Sequence, residues 1–254
     1  MISIVVCTYN SSDTISGCLS SIFQQTYTNF EVVIQDGGST DETLDIIDHW
    51  KEDERLKLVS ERDAGIYDAF NKGWKRATQP YVYYLHSDDE FYHNTVLDQF
   101  VHAITKLDND VLFGDTLLYY SESRLYRYWS GKNFNSKLSK FGLLPSHTSC
   151  FIKKKVFEDL GGFRTNYEIA SDFHFLLRVF LSNYSHTYVP TCVNRMRLGG
   201  ISTQGINAEK IKYTEDKKIL SELGLPVFFG LLLKKASKLF QWRVSMKRIE
   251  KKND

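Results

Sequence analysis

The sequence lacks the features that mark several large classes of protein. It has 32 Lys and Arg against 31 Asp and Glu, a formal net charge of +1, whereas proteins that wrap nucleic acid carry a basic surplus. Its four cysteines form no CxxC pair, which argues against a zinc ribbon or a disulfide framework. The longest apolar run, Val227 to Leu233, is far shorter than the roughly 20 residues of a membrane span. We therefore expect a cytoplasmic protein with no nucleic-acid partner.

The turn after the first predicted strand has no glycine. A dinucleotide-binding fold needs GxGxxG at this place, and the turn reads CTYNSSDT. A Walker A loop, GxxxxGKS/T, is also absent from the chain. Hydride transfer from a nicotinamide cofactor and P-loop phosphoryl transfer are both disfavoured, so any nucleotide is held in another way.

Strand-like and helix-like segments alternate along the first half of the chain. Runs of β-branched and aromatic residues predict strands at 2–7, 30–35, 56–60 and 81–85. Between them, apolar residues recur at helical spacing. This order predicts an α/β fold with a mostly parallel central sheet and helices on both faces. In such sheets, ligands bind beyond the carboxyl ends of the strands.

Acidic residues follow three of these four strands. Asp36 comes after the second, Asp63 after the third, and Asp88 and Asp89 after the fourth. Like charges repel unless a cation or a donor-rich ligand lies between them. Carboxylate oxygens suit Mg²⁺ or Mn²⁺, which bridge substrate phosphates. Asp88 and Asp89 alone would also fit a loop start that caps a helix, but the set as a whole favours a metal–phosphate site.

The last part of the chain, residues 225–254, differs in composition. It holds eight Lys and Arg and two Asp and Glu, a net charge of +6. An apolar helical stripe is predicted at Phe228, Leu232, Leu239, Trp242 and Met246, with Lys234, Lys238 and Arg248 mostly opposite. A basic amphipathic helix of this kind predicts peripheral binding to an anionic membrane surface, on the inner face of the cell membrane. The alternative is a helix packed on the domain with a solvated basic face.

Four ordered blocks resemble family 2 glycosyltransferases with the GT-A fold. They are IVVCTYN, EVVIQDGGSTDET, SERDAGIYDAFNKG and YLHSDD, and the similarity covers roughly residues 1–202. The third block and the later GGIS are similar to bacterial transferases of polysaccharide or lipopolysaccharide assembly. The resemblance implies a catalytic domain over 1–224, with a donor half (1–110) and an acceptor half (111–224), followed by the tail 225–254.

The activity that the resemblance implies is inverting and metal-dependent. A sugar passes from a nucleotide diphosphate donor, most often a UDP-sugar, to a hydroxyl of a glycan or lipid-linked acceptor. Two other functions stay open. One is a non-catalytic protein that binds nucleotide sugars or scaffolds a membrane assembly complex. The other is a sugar nucleotidyltransferase, which is expected to carry a glycine-rich basic loop after the first strand, unlike CTYNSSDT.

On the donor side, the resemblance assigns residues position by position. Thr8 and Asn10 line the nucleotide pocket, and Asp36 receives the base, typically the imide N–H of uracil. The pocket for base and ribose is shaped by Asp63, Gly65 and Asn71. Asp88 lies at the ribose and the metal, and Asp89 is the direct ligand of Mn²⁺ or Mg²⁺. Because Ser87 stands where a full Asp-x-Asp motif has its first carboxylate, Asp89 is the main ligand.

The second half supplies the acceptor side. Asp172, in EIASDF, resembles the catalytic base, although an aspartate at a helix start also serves as a plain cap. For His147 two interpretations stay open. It resembles a histidine that approaches the metal, the diphosphate or the acceptor, or it is a satisfied core or loop histidine. Arg197, ahead of the flexible Gly199 and Gly200, contacts the diphosphate from a lid or belongs to a plain turn. The histidines expected to be structural are His86, His93 and His174.

Overall fold

The computed structural model describes residues 1–121, 124–198 and 205–250. Its first half alternates strands and helices in the predicted order: β1 (Ile2–Thr8), α1 (Ile15–Phe23), β2 (Phe30–Asp36), α2 (Thr43–Asp48), β3 (Leu56–Ser60), α3 (Ile66–Arg76) and β4 (Tyr81–Tyr84). The four strands pair in parallel in the order β3-β2-β1-β4. Their carboxyl ends therefore lie along one edge, as predicted.

The second half adds five strands and six helices in the described part of the chain. They are β5 (Asp89–Phe91), α4 (Val96–Leu107), β6 (Val111–Ser121), β7 (Arg124–Trp129), α5 (Ser136–Ser139), β8 (Cys150–Lys153), α6 (Lys154–Leu160), α7 (Ser171–Leu181), β9 (His186–Arg197), α8 (Gly205–Glu222) and α9 (Val227–Glu250). A short 3₁₀ turn, His147–Ser149, precedes β8.

These strands extend the parallel part of the sheet with mixed pairing. β8 lies between β4 and β6 and runs antiparallel to both, while β6 and β9 are parallel. β7 pairs with the second part of β6, and β5 pairs antiparallel with β9. The β5–β9 pair brings the start of β5 beside the end of β9, a contact that local sequence patterns do not reveal.

Alternate side chains of the parallel strands fill two cores, one on each face of the sheet. Ile4 and Val6 pack with α1, α2 and α4, whereas Val5 and Cys7 pack with α3, α6 and α7. Both β1 and β2 are buried over their whole length, as expected for parallel strands covered on both faces. A Cβ at Gly73 would lie 2.4 Å from Val5 Cγ1, so only glycine lets α3 approach β1 this closely.

The two C-terminal helices pack on the domain through α7. Ile219 and Leu220 of α8 form a third core with α7, against which Val227 and Leu231 of α9 are packed. Lys234, predicted to lie mostly opposite the apolar stripe, is on the side of α9 that packs on the domain. Its Nζ donates to Asp216 Oδ2 at 2.6 Å and lies 3.4 Å from the centre of the Phe173 ring.

The opposite face of α9 is exposed and apolar. It carries Phe228, Phe229, Leu232, Leu233 and Leu239, which we call the α9 apolar face. Phe228 is 72% exposed and Leu239 is 61% exposed. Trp242 and Met246 belong to the predicted stripe, but their side chains lie outside the described part. No helix among the described residues has the length and apolarity to cross a membrane.

Candidate active site

Asp36, at the end of β2, organises the loop that follows it. Its Oδ2 accepts hydrogen bonds from the backbone N–H groups of Gly38 (3.0 Å) and Ser39 (2.9 Å) and from Ser60 Oγ (2.6 Å), and its Oδ1 accepts one from Ser39 Oγ. Asp36 is fully buried. Because Oδ1 accepts this one hydrogen bond, its second lone pair remains available for the N–H of a nucleotide base. The residue thus shapes the loop, and its contact with a base stays a prediction.

Asn10 ties the loop after β1 to the loop after β2. Its backbone N–H donates to Ser39 Oγ at 2.8 Å, and its Oδ1 accepts from the N–H of Thr40 at 2.9 Å. The φ of Asn10 is +48°, a left-handed conformation that asparagine tolerates better than most residues. Nearby, Thr8 Oγ1 is buried and has no hydrogen-bond partner among the described residues. The structure brings both residues to the predicted edge.

Asp63 lies against the same edge because Gly37 leaves room for it. A Cβ at Gly37 would stand 2.7 Å from Asp63 Oδ2 and 3.4 Å from the Tyr9 ring. Gly65 donates its N–H to Asp63 Oδ1 at 2.9 Å and has a φ of +113°, which favours glycine. The loops after β1, β2 and β3 therefore meet around the Asp63 carboxylate.

Asn71 makes its hydrogen bonds away from this group, and its predicted place in the donor pocket stays a prediction. Its Nδ2 donates to the carbonyl of Phe163 at 2.7 Å. Its Oδ1 accepts from the N–H of Phe163 at 2.9 Å and from Trp74 Nε1 at 3.1 Å. Since the protein uses both polar atoms, Asn71 joins α3 to the segment before α7 and is not among our proposed donor contacts.

A cluster suited to a cation lies after β4. Ligand atoms of His86, Asp88 and Asp89 all lie within 4.8 Å of one another. Asp89 is 1% exposed, and its Oδ2 has no hydrogen-bond partner among the described residues. Its Oδ1 accepts a long hydrogen bond of 3.3 Å from the backbone N–H of Arg197. A buried carboxylate oxygen without a partner is costly unless a cation occupies the site, so these residues fit Mg²⁺ or Mn²⁺.

The electrostatics of the cluster agree with this. Burial raises the pKa of Asp89 well above its ordinary value, and the charges of Asp88 and Glu90 raise it further. Burial also raises the pKa of Asp88, against the opposing effects of a backbone hydrogen bond and the Arg197 charge. Arg197 therefore stands near the cluster, as its predicted contact with a diphosphate requires. Gly199 and Gly200 lie outside the described residues.

Asp172 lies in the first turn of α7, where the cap residue is Ala170 and no side chain caps the helix. Its Oδ2 is 3.1 Å from His147 Nδ1, and its Oδ1 is 3.3 Å from the hydroxyl of Tyr67. Burial raises the pKa of Asp172, but its interaction with His147 outweighs this, so the pKa lies well below its ordinary value. Asp172 is thus ionised near neutral pH.

Three residues of this region were missed in the sequence. Tyr67 donates its hydroxyl to the carbonyl of Ile169 at 2.5 Å, and Glu215 of α8 accepts three backbone N–H bonds from residues 168–170. Both hold the segment before Asp172 in place. The third is His86, expected to be structural, whose Nε2 lies 2.9 Å from His147 Nε2. Their sequence separations leave no local signal that could have revealed them.

Solved structures of other proteins share this fold. S. aureus TarS in complex with UDP-GlcNAc matches with a TM-score of 0.68 at 22% identity, over 86% of this chain and 66% of that chain. The mannosyltransferase PcManGT from Pyrobaculum calidifontis, in complex with GDP-Man and Mn²⁺, matches with a TM-score of 0.66 at 21% identity. The match covers 94% of this chain and 69% of that chain. The fold is therefore that of the GT-A glycosyltransferases, as the sequence predicted.

The sequence comparisons define the family. Residues 3–161 match the profile of Glycosyl transferase family 2. A PGL/p-HBAD biosynthesis glycosyltransferase of Mycobacterium bovis is 30% identical over 220 residues, which are 84% of this chain and 83% of that protein. The Escherichia coli glucosyltransferase WfaP is 32% identical over 127 residues, which are 50% of this chain and 46% of that protein. The chain belongs to glycosyl transferase family 2, and it is a glycosyltransferase of the class that uses nucleotide sugars.

Proposed function

We propose that this chain is an inverting, metal-dependent glycosyltransferase of cell-surface glycan synthesis. Its donor is a nucleoside diphosphate sugar, a UDP-sugar in the first place, and its acceptor is a hydroxyl of a glycan or lipid-linked glycan. The observation that carries the proposal is that Oδ2 of buried Asp89, beside Asp88 and His86, has no hydrogen-bond partner in the part of the chain that the structure describes.

The printed names of relatives and neighbours support the choice of substrates. WfaP is a UDP-Glc:α-D-GlcNAc-diphosphoundecaprenol β-1,3-glucosyltransferase, so its acceptor is lipid-linked. TarS was solved with UDP-GlcNAc and PcManGT with GDP-Man and Mn²⁺. A uracil nucleotide is therefore our first expectation, with guanine as the nearest alternative.

On the donor side, we place the nucleotide against Thr8, Asn10, Asp36, Asp63 and Gly65. Asp88 and Asp89 would hold the divalent cation, which when bound neutralises the charge of the departing diphosphate. Arg197 adds a positive charge on the same side and suits a bidentate phosphate contact. These residues bind and orient the donor without forming a bond to the sugar.

On the acceptor side, Asp172 is the proposed base. The acceptor oxygen forms a bond to the anomeric carbon as the bond to the diphosphate breaks, and the hydroxyl proton passes to Asp172 Oδ1. Because its low pKa makes Asp172 a weak base, proton transfer is expected only as the new bond forms. His147 holds Oδ2, while Oδ1 accepts one long hydrogen bond from Tyr67 and keeps a second lone pair for the acceptor. A single displacement of this kind inverts the anomeric centre.

An open cavity of about 370 Å³ is lined in part by Tyr67, whose hydroxyl is 3.3 Å from Asp172 Oδ1. It lies between the segment that begins α3 and the segment before α7, and its lining includes Gly65, Tyr67, Glu168 and Glu215. Tyr67 links the cavity wall to Asp172. Hydroxyl-rich acceptors suit such a wall of carboxylate, phenol and backbone groups, so we place the acceptor glycan here.

The α9 apolar face fits a lipid-linked acceptor. It is exposed on a helix whose other side packs on the domain, and Lys235 and Lys238 are exposed along the same helix. Apolar side chains with flanking lysines favour an anionic membrane surface. We propose that residues 225–254 bring the catalytic domain, residues 1–224, to the membrane as a peripheral protein.

Calorimetric titration with UDP, GDP, TDP and CMP, with and without Mn²⁺, tests the donor site. We expect one nucleoside diphosphate to bind in a Mn²⁺-dependent manner and Asp89→Asn to lose that dependence. Asp45→Asn, at an exposed position of α2, is the matched control. If no nucleotide binds with or without Mn²⁺, the proposed function is wrong.

Replacing the base separates an enzyme from a binding protein. Asp172→Asn is expected to keep nucleotide affinity while transfer to a lipid-linked glycan acceptor falls on the order of a thousandfold. Binding without turnover in the wild-type protein would favour the non-catalytic alternative.

Sedimentation with phosphatidylglycerol vesicles tests the membrane proposal. We expect the double substitution Phe228→Ser and Leu232→Ser to abolish co-sedimentation. Vesicles of pure phosphatidylcholine should bind the wild-type protein weakly.

A further inference from the structure

A line of hydrogen-bonded side chains crosses the site from the acceptor side to the cation cluster. Asp172 Oδ2 lies 3.1 Å from His147 Nδ1, and His147 Nε2 lies 2.9 Å from His86 Nε2. His86 in turn offers a ring nitrogen within 4.8 Å of the ligand oxygens of Asp88 and Asp89. The three residues come from α7, the 3₁₀ turn before β8 and the end of β4, so only the fold assembles this line.

The order of donors and acceptors along the line follows from its first member. An ionised carboxylate can only accept, so His147 must donate its Nδ1–H to Asp172. In a neutral ring, His147 Nε2 then carries the lone pair and accepts from His86, whose proton must therefore be on Nε2. The remaining nitrogen, His86 Nδ1, keeps its lone pair.

We propose that His86 is a protein ligand of the divalent cation through Nδ1, and that Asp172 and His147 are positioning residues that fix its tautomer. The proposal rests on the proposed function, because it requires the cation of the donor site. Two further observations support it. Oδ2 of buried Asp89 has no hydrogen-bond partner among the described residues, and Ser87 leaves the motif one carboxylate short. An imidazole would supply the missing ligand, and metal-bound histidines usually donate their other N–H to a fixed partner.

The arrangement couples the two halves of the proposed reaction. Asp172 serves the acceptor through Oδ1 and the cation site through Oδ2. A cation on His86 Nδ1 polarises the ring and strengthens the hydrogen bond that His86 donates to His147. The line thereby holds Asp172 in place more firmly when donor and cation are bound, and by linkage an ordered Asp172 raises the affinity for the cation.

Long-range nitrogen-15 NMR of histidine-labelled full-length protein tests the tautomers without any metal. We expect His147 protonated on Nδ1 and His86 protonated on Nε2, with the two signals assigned by His147→Gln and His86→Ala. In Asp172→Ala, the preference of each of the two rings for one tautomer should weaken. A His86 ring protonated on Nδ1 in the wild-type protein would overturn the proposal, because that nitrogen could not bind a metal.

Titration of MnCl₂ in the presence of UDP, followed by electron paramagnetic resonance, tests the ligand. His86→Ala is expected to weaken Mn²⁺ binding at least about tenfold, and His147→Ala by a similar factor although His147 does not touch the cation. His147→Gln places an acceptor oxygen near the position of Nε2 and should stay within about threefold of wild type. His147→Asn, whose amide mimics Nδ1 instead, should lose as much as His147→Ala.

The outcomes separate this proposal from the proposed function. His102→Ala, an exposed histidine of α4, is the matched control and should bind Mn²⁺ as the wild-type protein does. If the wild-type protein binds Mn²⁺ and UDP but His86→Ala and His147→Ala bind equally well, the line has no role in the cation site. If the wild-type protein binds no Mn²⁺ with UDP, both the proposed cation site and this inference fail.

Discussion

Glu31 and Asp89 are buried carboxylates at opposite edges of one sheet, and they differ in their partners. Glu31, near the amino end of β2, accepts hydrogen bonds from Ser3 Oγ, Lys57 Nζ and both the N–H and the hydroxyl of Thr78. Asp89 accepts one long bond and has an oxygen without a partner in the described structure. The first carboxylate has its hydrogen bonds satisfied within the protein, and the second has the unsatisfied oxygen that the proposed cation would need.

The pKa values of the two groups move in opposite directions for this reason. Burial raises the pKa of Glu31, but the hydrogen bonds from Lys57, Ser3 and Thr78 outweigh it and lower the pKa to about 2. Burial raises the pKa of Asp89, and the neighbouring carboxylates add to it. A folded chain tolerates the unfavourable group because a few kcal/mol at one site is small beside the whole core. The comparison teaches that an unsatisfied buried charge marks a candidate site and a satisfied one marks structure.

The largest expected effect is the loss of transfer in Asp89→Asn. We expect the rate to fall on the order of a thousandfold, because the proposed cation loses its main ligand. Thermal unfolding of the ligand-free protein should occur at the same or a higher temperature, since a costly buried charge is removed. A variant that unfolds well below the wild-type temperature would show that Asp89 is a structural group, like Glu31.

The next effect concerns stability in acid. The pKa of Glu31 is lowered from 4.5 to about 2 on folding, so its contribution to stability is present above pH 4.5 and is lost as the pH falls towards 2. The difference corresponds to about 3 kcal/mol. Urea unfolding at a series of pH values should show this loss in the wild-type protein. Glu31→Gln should be less stable near neutral pH and should lack this part of the acid dependence, while its nucleotide binding is unchanged.

Asp36 does not fit the contrast between Glu31 and Asp89. It lies at the edge where the donor loops meet, but its carboxylate accepts several hydrogen bonds within the protein, as that of Glu31 does. Asp36→Asn should therefore lower both the stability of the protein and its affinity for nucleotide. We expect the free energy of unfolding to fall by about 1–2 kcal/mol, since the amide cannot accept from Gly38, Ser39 and Ser60 together. Nucleotide affinity should also fall, because the loop changes shape. Unchanged stability with weaker binding would place Asp36 with Asp89 as a ligand-dependent group.

The smallest expected effect is that of Gly37→Ala. The new Cβ would press on Asp63 Oδ2 and move this carboxylate away from the donor loops. We expect nucleotide affinity to fall about tenfold, with a small change in stability. In an Asp63→Ala background, the same substitution should add nothing, because the contact no longer exists. An additive loss in this double-mutant cycle would contradict the proposed place of Asp63.

Local patterns predicted the donor half well and the acceptor half less well. Runs such as those of β1 and β2 are apolar throughout, and the alternation with helices leaves one topology for the parallel strands. The strand ends then follow, with Asp36, Asp63 and Asp89 on one edge. Short strands such as β5 and β8 have no such pattern, because their pairing partners lie far away in the sequence.

The directions of two side chains show the same limit of local patterns. Asn71 lies in the most recognisable block of the chain, yet its amide is turned to Phe163, 92 residues away. Lys234 was placed by helical spacing alone, but α8 and α7 supply Asp216 and Phe173 as partners. Side-chain direction depends on which neighbour is packed against it, and that information is not local.

The sequence by itself determined the order of strands and helices, the absence of a glycine-rich phosphate loop, and the acidic residues at the strand ends. These follow from residue type and spacing, which act over a few neighbouring positions. Only the tertiary structure decided that Asp89 Oδ2 has no hydrogen-bond partner among the described residues, that Asp172 faces His147, and that His147 reaches His86. Such contacts join residues tens of positions apart, and they exist only because burial of the two cores holds the helices against the sheet.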